Sequence, residues 1–220
     1  MRRRAGAFIL TLALAGCAYG GGDMGDPLVR KFHWFSYVAG DDIRATCQAG
    51  TPDRFRLVYN GRYDQQLRLY QVDSLRRVLS VKVTAPGNAA RLSGDDPLAP
   101  WRATEGSVQL DEAAYAALVQ SFAAAGLFGS PAVGRELPSH GFHWSVAACR
   151  GARFLFTGWA YPETDLAALP FAARLFAADP TGIAVNPPGP IPHDPQYENK
   201  LARGEVTSFR LKVGADGMVR

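Results

Sequence analysis

The residues most capable of chemistry lie close together near position 140. His140 and His143 are three residues apart, and Cys149 follows six residues later. Imidazole and thiolate are the usual ligands of zinc, so the segment has the composition of a metal site. Its pattern is also typical of a strand, in which residues three apart point to opposite faces. Unless a loop at residues 139–141 changes that geometry, His143 packs beside Trp144, and we predict neither a metal nor another cofactor.

Adjacent acidic residues offer carboxylates for catalysis at three places. The pairs are Asp41-Asp42, Asp95-Asp96 and Asp111-Glu112. A catalytic carboxylate pair needs a defined separation across a cleft, which neighbours in a turn or at a helix start do not have. The sequence also contains no nucleophile elbow, phosphate-binding loop, dinucleotide-binding fingerprint or zinc-protease motif. We therefore assign no catalytic residue.

The N-terminus has the layout of an export signal. Arg2, Arg3 and Arg4 precede an apolar stretch over residues 5–13, which is too short to span a bilayer stably as a helix. An N-terminal membrane anchor is the alternative, but the glycines at 20–22 cut the apolar segment short.

Leu14-Ala15-Gly16-Cys17 ends this stretch and resembles the lipobox of bacterial lipoprotein precursors. The resemblance implies that a lipid joins the Cys17 sulfur, that the chain is cut before this residue and that the new amine is acylated. Several acyl chains on one residue anchor a protein stably, whereas a single chain holds only marginally. The membrane is then a partner through this lipid, and the domain faces the periplasm. Residue 18 is alanine and not aspartate, which favours the outer membrane over the inner membrane.

The export signal also accounts for most of the net positive charge. Residues 1–16 hold three of the 24 basic residues and none of the 20 acidic ones, which leaves 21 against 20. A nearly neutral, exported protein has neither the charge nor the compartment for a nucleic-acid partner. Its 47% hydrophobic and 20% charged residues indicate a folded domain and not a disordered chain.

Two cysteines remain after Cys17, and the oxidising envelope favours a disulfide between them. Cys47 and Cys149 would close a loop of about a hundred residues, which the chain-entropy model makes worth roughly 4–5 kcal/mol as an upper figure. The alternative is a reactive or metal-binding thiol, which needs a basic partner nearby.

Alternating apolar residues predict an antiparallel sheet. The clearest strand is 54–63, where Phe55, Leu57 and Tyr59 share one face. Further strands are predicted at 31–38, 43–47, 66–73, 77–85, 141–149, 152–159 and 205–213.

Two helices interrupt these strands. One follows the N-cap Asp111 and carries Leu118 and Phe122 on an apolar stripe. The other covers residues 170–178 and has a proline in its first turn. Alternating strand and helix units are absent, so the predicted fold class is α+β, a mainly antiparallel sheet with two helices packed on one face.

The predicted organisation is a signal, a tether and one domain. The segments are a signal peptide at 1–16, a flexible tether at 17–30, a single globular α+β domain at 31–185, a proline-rich connector at 186–199 and a C-terminal strand or hairpin packed on the same domain at 200–220. The turn-rich stretch 86–107 is long for a loop inside a domain. It either folds over the sheet through Trp101 or forms a functional flap.

Basic residues are concentrated in the predicted meander. Residues 54–91 carry eight lysines and arginines against two acidic residues. If Arg54, Arg56 and Arg68 share an exposed sheet face, this face would attract an anionic surface or an acidic envelope protein. The alternative is an ordinary solvated face whose arginine stems cover apolar surface.

We therefore predict a lipid-anchored envelope protein whose domain binds or scaffolds without catalysis. The alternatives are an envelope hydrolase with a site near residues 86–107 and His140 or His143, and a sensor of a small ligand. An enzyme would show a polar pocket with converging titratable groups, an interaction domain an exposed patch or groove, and a sensor a closed apolar cavity.

Overall fold

The structure is a computed structural model that describes residues 18–86 and 94–219. Cys17 and the predicted export signal lie outside the described residues. The strands in this part of the chain are β1 (Arg54–Gly61), β2 (Leu67–Asp73), β3 (Val78–Thr84), β4 (Thr104–Gln109), β5 (Glu136–Pro138), β6 (Phe142–Arg150), β7 (Arg153–Ala160), β8 (Arg210–Val213) and β9 (Met218–Val219). The helices of the described residues are α1 (Pro27–Ala39), α2 (Asp41–Thr46), α3 (Glu112–Ala124), α4 (Pro170–Ala177) and α5 (Pro195–Ala202), and a 3₁₀ turn covers Ala99–Trp101.

Six of these strands form one sheet in the order β4-β3-β2-β1-β6-β7, and β5, β8 and β9 form a smaller one. Every pairing between neighbouring strands is antiparallel. The predicted α+β class with a mainly antiparallel sheet is therefore confirmed. The number of helices differs, because five and not two accompany the sheets in the described residues.

Helices α3 and α4 cover one face of the large sheet. Phe55 and Tyr59 of β1 lie on this face and belong to the same core as Phe122 of α3 and Phe171 of α4. The ring of Phe55 lies 5.1 Å from that of Phe122, and the ring of Phe122 lies 5.9 Å from that of Phe171. We call this layer the first core.

The opposite face is covered by α1, α2 and the small sheet. Val58 and Leu69 belong to this second core, together with Trp34 and Tyr37 of α1 and Leu211 of β8. A sheet covered on both faces needs side chains that can be buried on both. This explains why seven of the eight residues of β1 are buried.

The strand predicted at 31–38 is part of helix α1. The Asp26 carboxylate caps this helix by accepting hydrogen bonds from the backbone N–H groups of Leu28 and Val29, at 2.8 and 3.1 Å. Gly40 then ends the helix with a φ of 72°, a value that glycine adopts without strain. These end signals prevail over the strand preference of the aromatic residues between them, because helix α1 places Trp34 and Tyr37 on the sheet.

The strand predicted at 43–47 is likewise helical, within α2. Asp41 and Asp42 occupy the first turn of this helix, where carboxylates are favoured by the helix dipole. Ile43 is the buried residue of α2 and joins the second core. Helix α2 is therefore held by burial of the side that carries Ile43, and not by hydrogen bonds to a neighbouring strand.

The predicted tether at 17–30 also differs, because its described part packs onto the domain. Tyr19 and Met24 are 8% and 1% exposed and belong to the second core. The backbone N–H of Tyr19 donates to Ser36 Oγ at 2.7 Å, and its ring lies 5.0 Å from that of Tyr37. The glycines indicated flexibility, but the large apolar side chains among them provide enough buried area to fix the segment.

Two other segments contain structure that the sequence did not predict. Strand β4 begins within the predicted loop 86–107 and extends the sheet from β3. Its alternate residues include the exposed Glu105 and Gln109, so it lacks the apolar alternation of the other strands. Helix α5 begins inside the predicted connector 186–199, where the Asp194 side chain caps it. Residues 87–93 of the predicted flap lie outside the described residues.

The predicted disulfide joins Cys47 and Cys149, whose Cα atoms are 5.5 Å apart. Cys47 follows directly after α2, and Cys149 lies in β6 and is 1% exposed. The bond spans 102 residues of sequence and ties the end of α2 to β6, the strand between β1 and β7 of the large sheet.

Replacing both cysteines by alanine should lower the free energy of unfolding by about 2–5 kcal/mol, because the unfolded chain regains the freedom that the crosslink removes. Urea unfolding of the parent and the variant measures this difference. In the parent, thiol labelling after denaturation without reductant should modify neither Cys47 nor Cys149. Labelling at both positions would contradict the pairing.

Candidate functional site

Arg56, which the sequence proposed for an exposed surface, is buried in the second core. Only 1% of the residue is exposed. Its Nη1 and Nη2 donate to the two carboxylate oxygens of Asp42 at 2.7 and 2.8 Å, and Nη1 also donates to the Tyr37 carbonyl at 2.8 Å. The guanidinium lies 3.8 Å from the centre of the Tyr37 ring. This two-pronged arrangement is the strong form of an arginine–carboxylate pair, and it holds α2 on the sheet.

Arg68 is buried on the opposite face, in the first core. Its Nη1 pairs with Asp179, just beyond α4, and its Nε donates to Gln66 Oε1 at 2.9 Å. Its Nη2 donates to the carbonyl of Ile183. Burial and the Asp179 charge raise the pKa of Tyr70, whose hydroxyl donates to Asp179 at 3.2 Å. Arg68 therefore fixes the segment that follows α4.

The predicted anionic-partner surface of Arg54, Arg56 and Arg68 does not form. The strand register places Arg68 opposite Tyr59 on the first-core face, whereas Arg54 and Arg56 lie on the other face. Of the three, only Arg54 keeps substantial exposure, with 40% of its side chain exposed and Asp42 at 3.6 Å. The physical reason is that both faces of the sheet are covered, so its central strands have no solvated face on which arginines could lie together.

The two histidines of the alternative hydrolase site do not form a catalytic pair. His143 is 2% exposed, and its Nδ1–H donates to the carbonyl of Pro138 at 3.1 Å. Burial lowers the pKa of His143 to about 3, so the ring is neutral. His140 precedes β6, and its Nδ1 is buried with no hydrogen-bond partner among the described residues. Cys149 is held in the disulfide and is not a metal ligand.

A groove of about 560 Å³ lies beside α1, and we call it the α1 groove. One wall is the helix itself, and the other wall comes from the turn after β1, the end of β3 and the 3₁₀ turn. Its aromatic lining residues are Trp34, Phe35, Tyr63, Trp101 and Phe209. With the residues before β8 that contribute Phe209, five segments that are distant in sequence meet in this groove.

The rings on the floor of the groove support one another edge to face. Trp34 and Tyr63 have ring centres 5.3 Å apart, and Tyr63 and Phe209 have ring centres 4.9 Å apart. Phe35 lies 5.1 Å from Phe209. Edge-to-face packing holds the rings in fixed positions, so the groove presents a preformed aromatic surface. Trp101 is 44% exposed and leaves the groove open to solvent on that side.

Charged side chains line the same groove. Arg30 ties its walls together, because its Nη1 donates to the Met24 carbonyl at 3.0 Å and its Nη2 to the Trp101 carbonyl at 3.0 Å. Burial lowers the pKa of Arg30. Lys31 is exposed and Asp64 completes the set of charged lining residues, which leaves the groove one net positive charge.

Trp34 contributes a polar group as well as a ring. The residue is 3% exposed, and its indole Nε1–H has no hydrogen-bond partner among the described residues. A buried donor without a partner costs about 1–3 kcal/mol of stability. A ligand that supplies an acceptor to such a donor removes this loss of stability, and the difference contributes to the free energy of binding.

Two further features, a metal site and a membrane-spanning helix, were sought in the described residues. In residues 18–86 and 94–219, no group of three or more histidines, cysteines and acidic residues is arranged to hold a metal ion. Over the same residues, no helix combines the length and the apolar character needed to cross a membrane.

No protein-family model, no curated protein and no solved structure matches this chain. The side chains of the α1 groove must therefore carry the functional argument. Sequence reasoning missed this groove, because it treated residues 31–38 as a strand and Tyr63 as the end of another. The Asp26-Pro27 start and the Gly40 stop were the signals that could have placed Trp34 on a helix.

His143 should make the protein less stable as the pH falls from 7 to 5. The folded ring has a pKa of about 3, whereas the unfolded ring titrates near 6.5. Between these values the unfolded chain binds more protons, so the free energy of unfolding falls with falling pH, by up to about 2 kcal/mol between pH 7 and pH 5. Urea unfolding at the two pH values measures the loss.

A matched pair of variants identifies the group responsible. His143→Gln keeps a donor for the Pro138 carbonyl and should flatten the pH dependence, because glutamine does not titrate. His193→Gln removes a histidine whose side chain is 72% exposed and should leave the parent's dependence in place. An equally steep dependence in His143→Gln would contradict the assignment.

Proposed function

We propose that this protein is lipid-anchored in the cell envelope and binds an extended peptide of another protein in the α1 groove. The anchoring is supported by the resemblance of Leu14-Ala15-Gly16-Cys17 to a lipobox. The binding is supported by one observation above the others, namely that five aromatic side chains line a single open groove. One of them, Trp34, also carries a buried indole N–H without a partner among the described residues.

Aromatic walls suit an extended chain that carries proline or other apolar side chains. Flat, preformed rings offer a large contact area and lose little conformational freedom on binding. An extended peptide also leaves its backbone carbonyls unpaired, and the indole N–H of Trp34 requires such an acceptor. An extended peptide therefore offers apolar side chains to the rings of the groove and a carbonyl acceptor to the indole N–H of Trp34.

The charge of the groove selects among such peptides. Lys31 and Arg30 outweigh Asp64 at its walls. Long-range attraction and the avoidance of like charges then favour an acidic peptide over a basic one. The proposed anionic partner therefore binds at the α1 groove and not at the predicted surface of Arg54, Arg56 and Arg68.

The alternative functions have less support from the geometry. Neither His140 nor His143 lines the α1 groove, and the neutral, buried ring of His143 has no access to a substrate there. A small-ligand sensor needs an enclosed cavity, whereas the exposed Trp101 keeps this groove open.

Lipid attachment at Cys17 should be visible by metabolic labelling in a bacterial host. The parent should incorporate a clickable fatty-acid analogue and fractionate with the outer membrane, because its acyl chains partition into lipid. Cys17→Ser should incorporate none. Label in the Cys17→Ser variant, or none in the parent, would contradict the anchor.

The α1 groove should prefer acidic, proline-containing peptides to their charge-reversed versions. An array of such short peptides, probed with the full chain, measures this preference directly. Lys31→Glu should reverse it, because the net charge of the groove changes sign. Trp101→Ala should weaken binding about tenfold, the equivalent of about 1.4 kcal/mol, because an exposed anchor ring is lost.

Two further variants test the groove against a merely structural effect. Trp34→Phe keeps an aromatic ring and removes the N–H, so it should weaken peptide binding without lowering stability. Leu75→Ala changes a residue that is 77% exposed and does not line the groove, so it should bind like the parent. Peptide binding that survives both Lys31→Glu and Trp101→Ala would contradict the proposal.

A further inference from the structure

We infer that the exposed side of helix α1 formed by Leu28 and Phe32 rests on the membrane surface and gives the domain a fixed orientation there. We call these two residues the α1 patch. The inference depends on the lipid attachment at Cys17 proposed above. It goes beyond that proposal, because a lipid anchor alone leaves the orientation of a domain undefined.

The α1 patch consists of two large apolar side chains that the protein leaves uncovered. Leu28 is 50% exposed and Phe32 is 65% exposed. They are four residues apart, so they lie one above the other on the same side of the helix. Lys31 beside them is exposed and suits an anionic lipid headgroup. Apolar side chains flanked by a basic one are typical of helices that lie in a membrane interface.

The position of Cys17 brings the lipid close to this helix. A single residue, Ala18, separates Cys17 from Tyr19, and two residues span at most about 7 Å. Tyr19 is fixed on α1, since its backbone N–H donates to Ser36 Oγ at 2.7 Å and its ring lies 6.2 Å from that of His33. The acyl chains must therefore enter the bilayer beside α1, with no long tether between them.

The path of the chain after Tyr19 leaves the α1 patch facing the same way as the lipid. The N-terminal segment runs along one flank of α1, where Gly22 lies against the side chain of Val29. The opposite flank, which includes Lys31 and Trp34, lines the α1 groove. With 3.6 residues per turn, Leu28 and Phe32 fall between these two flanks.

The lipid on Cys17 allows a patch of only two side chains to stay in contact with the membrane. Two side chains alone bind a bilayer weakly, but an anchor attached nearby holds them at a high local concentration of lipid. The membrane is therefore the occupant that the chain itself delivers to the α1 patch. A second copy of the chain, or a protein partner, would have to compete for the α1 patch with this high local concentration of lipid.

Depth-dependent quenching of a fluorescent amino acid tests the orientation. The probe replaces Phe32 in the full lipoprotein, and a matched control carries it at Leu75, which is 77% exposed. Both proteins are inserted into vesicles of phosphatidylethanolamine and phosphatidylglycerol that contain spin-labelled lipids. We expect the probe at position 32 to be quenched about threefold more strongly than the probe at position 75.

The outcomes separate this inference from the anchor itself. Flotation of the vesicles and the mass of the N-terminal peptide report acylation independently of the probe. Equal quenching at positions 32 and 75 in an acylated, floating protein would overturn the orientation and leave the anchor standing. A probe at 32 that is shielded from water but unquenched by lipid would overturn it in favour of a second copy or a protein partner. A chain without lipid on Cys17 would overturn both proposals.

A double variant gives a second readout that does not depend on the probe. Leu28→Ser with Phe32→Ser changes exposed side chains, so circular dichroism should match the parent. Acylation and flotation should persist, but amide hydrogen exchange in α1 should lose the protection that vesicles give the parent. Protection that is unchanged by the double substitution would contradict the contact.

Discussion

Buried arginines in a doubly covered sheet are the constraint on which the rest of this structure depends. A charge in such a position is tolerated only when a layer packed on the sheet delivers its partner. Asp42 reaches Arg56 from α2, and Asp179 reaches Arg68 from the end of α4. Each pair therefore fixes one layer at one position on the sheet. The two pairs fix the arrangement of the layers on the sheet, and the α1 groove lies outside them, at the edge where α1 meets the strand ends.

The strands and helices of the first core could be predicted from local sequence patterns, whereas helix α1 and the burial of the arginines could not. Phe55, Leu57 and Tyr59 recur at every second position of β1, and the carboxylate of Asp111 accepts a hydrogen bond from the backbone N–H of Ala114 and caps α3, so both elements were predictable. Helix α1 was misassigned because aromatic residue types were given more weight than its end signals. The burial of Arg68 was not predictable, since its carboxylate partner lies 111 residues further along the chain. A local pattern cannot distinguish a solvated arginine from one whose partner arrives by tertiary packing.

The α1 groove shows why functional surfaces are harder to foresee than cores. No segment that lines it carries a recognisable motif, and its character arises only where α1, the turn after β1 and the residues before β8 converge. Trp34 illustrates the point, because it is a core residue by burial and yet lines the groove with an indole N–H that has no partner among the described residues. The same convergence places the groove beside the helix onto which Tyr19 packs, so with the proposed lipid on Cys17 a partner would be met close to the bilayer.

The composition of the second core has a consequence for the order of folding. It joins Tyr19 and Met24 to Leu211 and Val213 of β8, so it is complete only when nearly the whole described chain is available. The buried residues of the first core lie between Phe55 and Leu175 and need no later strand. Contacts between distant residues form slowly. If the chain is exported N-terminus first, as the proposed lipid anchor requires, helix α1 is among the first segments to emerge and the last to be covered. The region nearest the proposed anchor would then be the one most exposed to envelope chaperones and proteases.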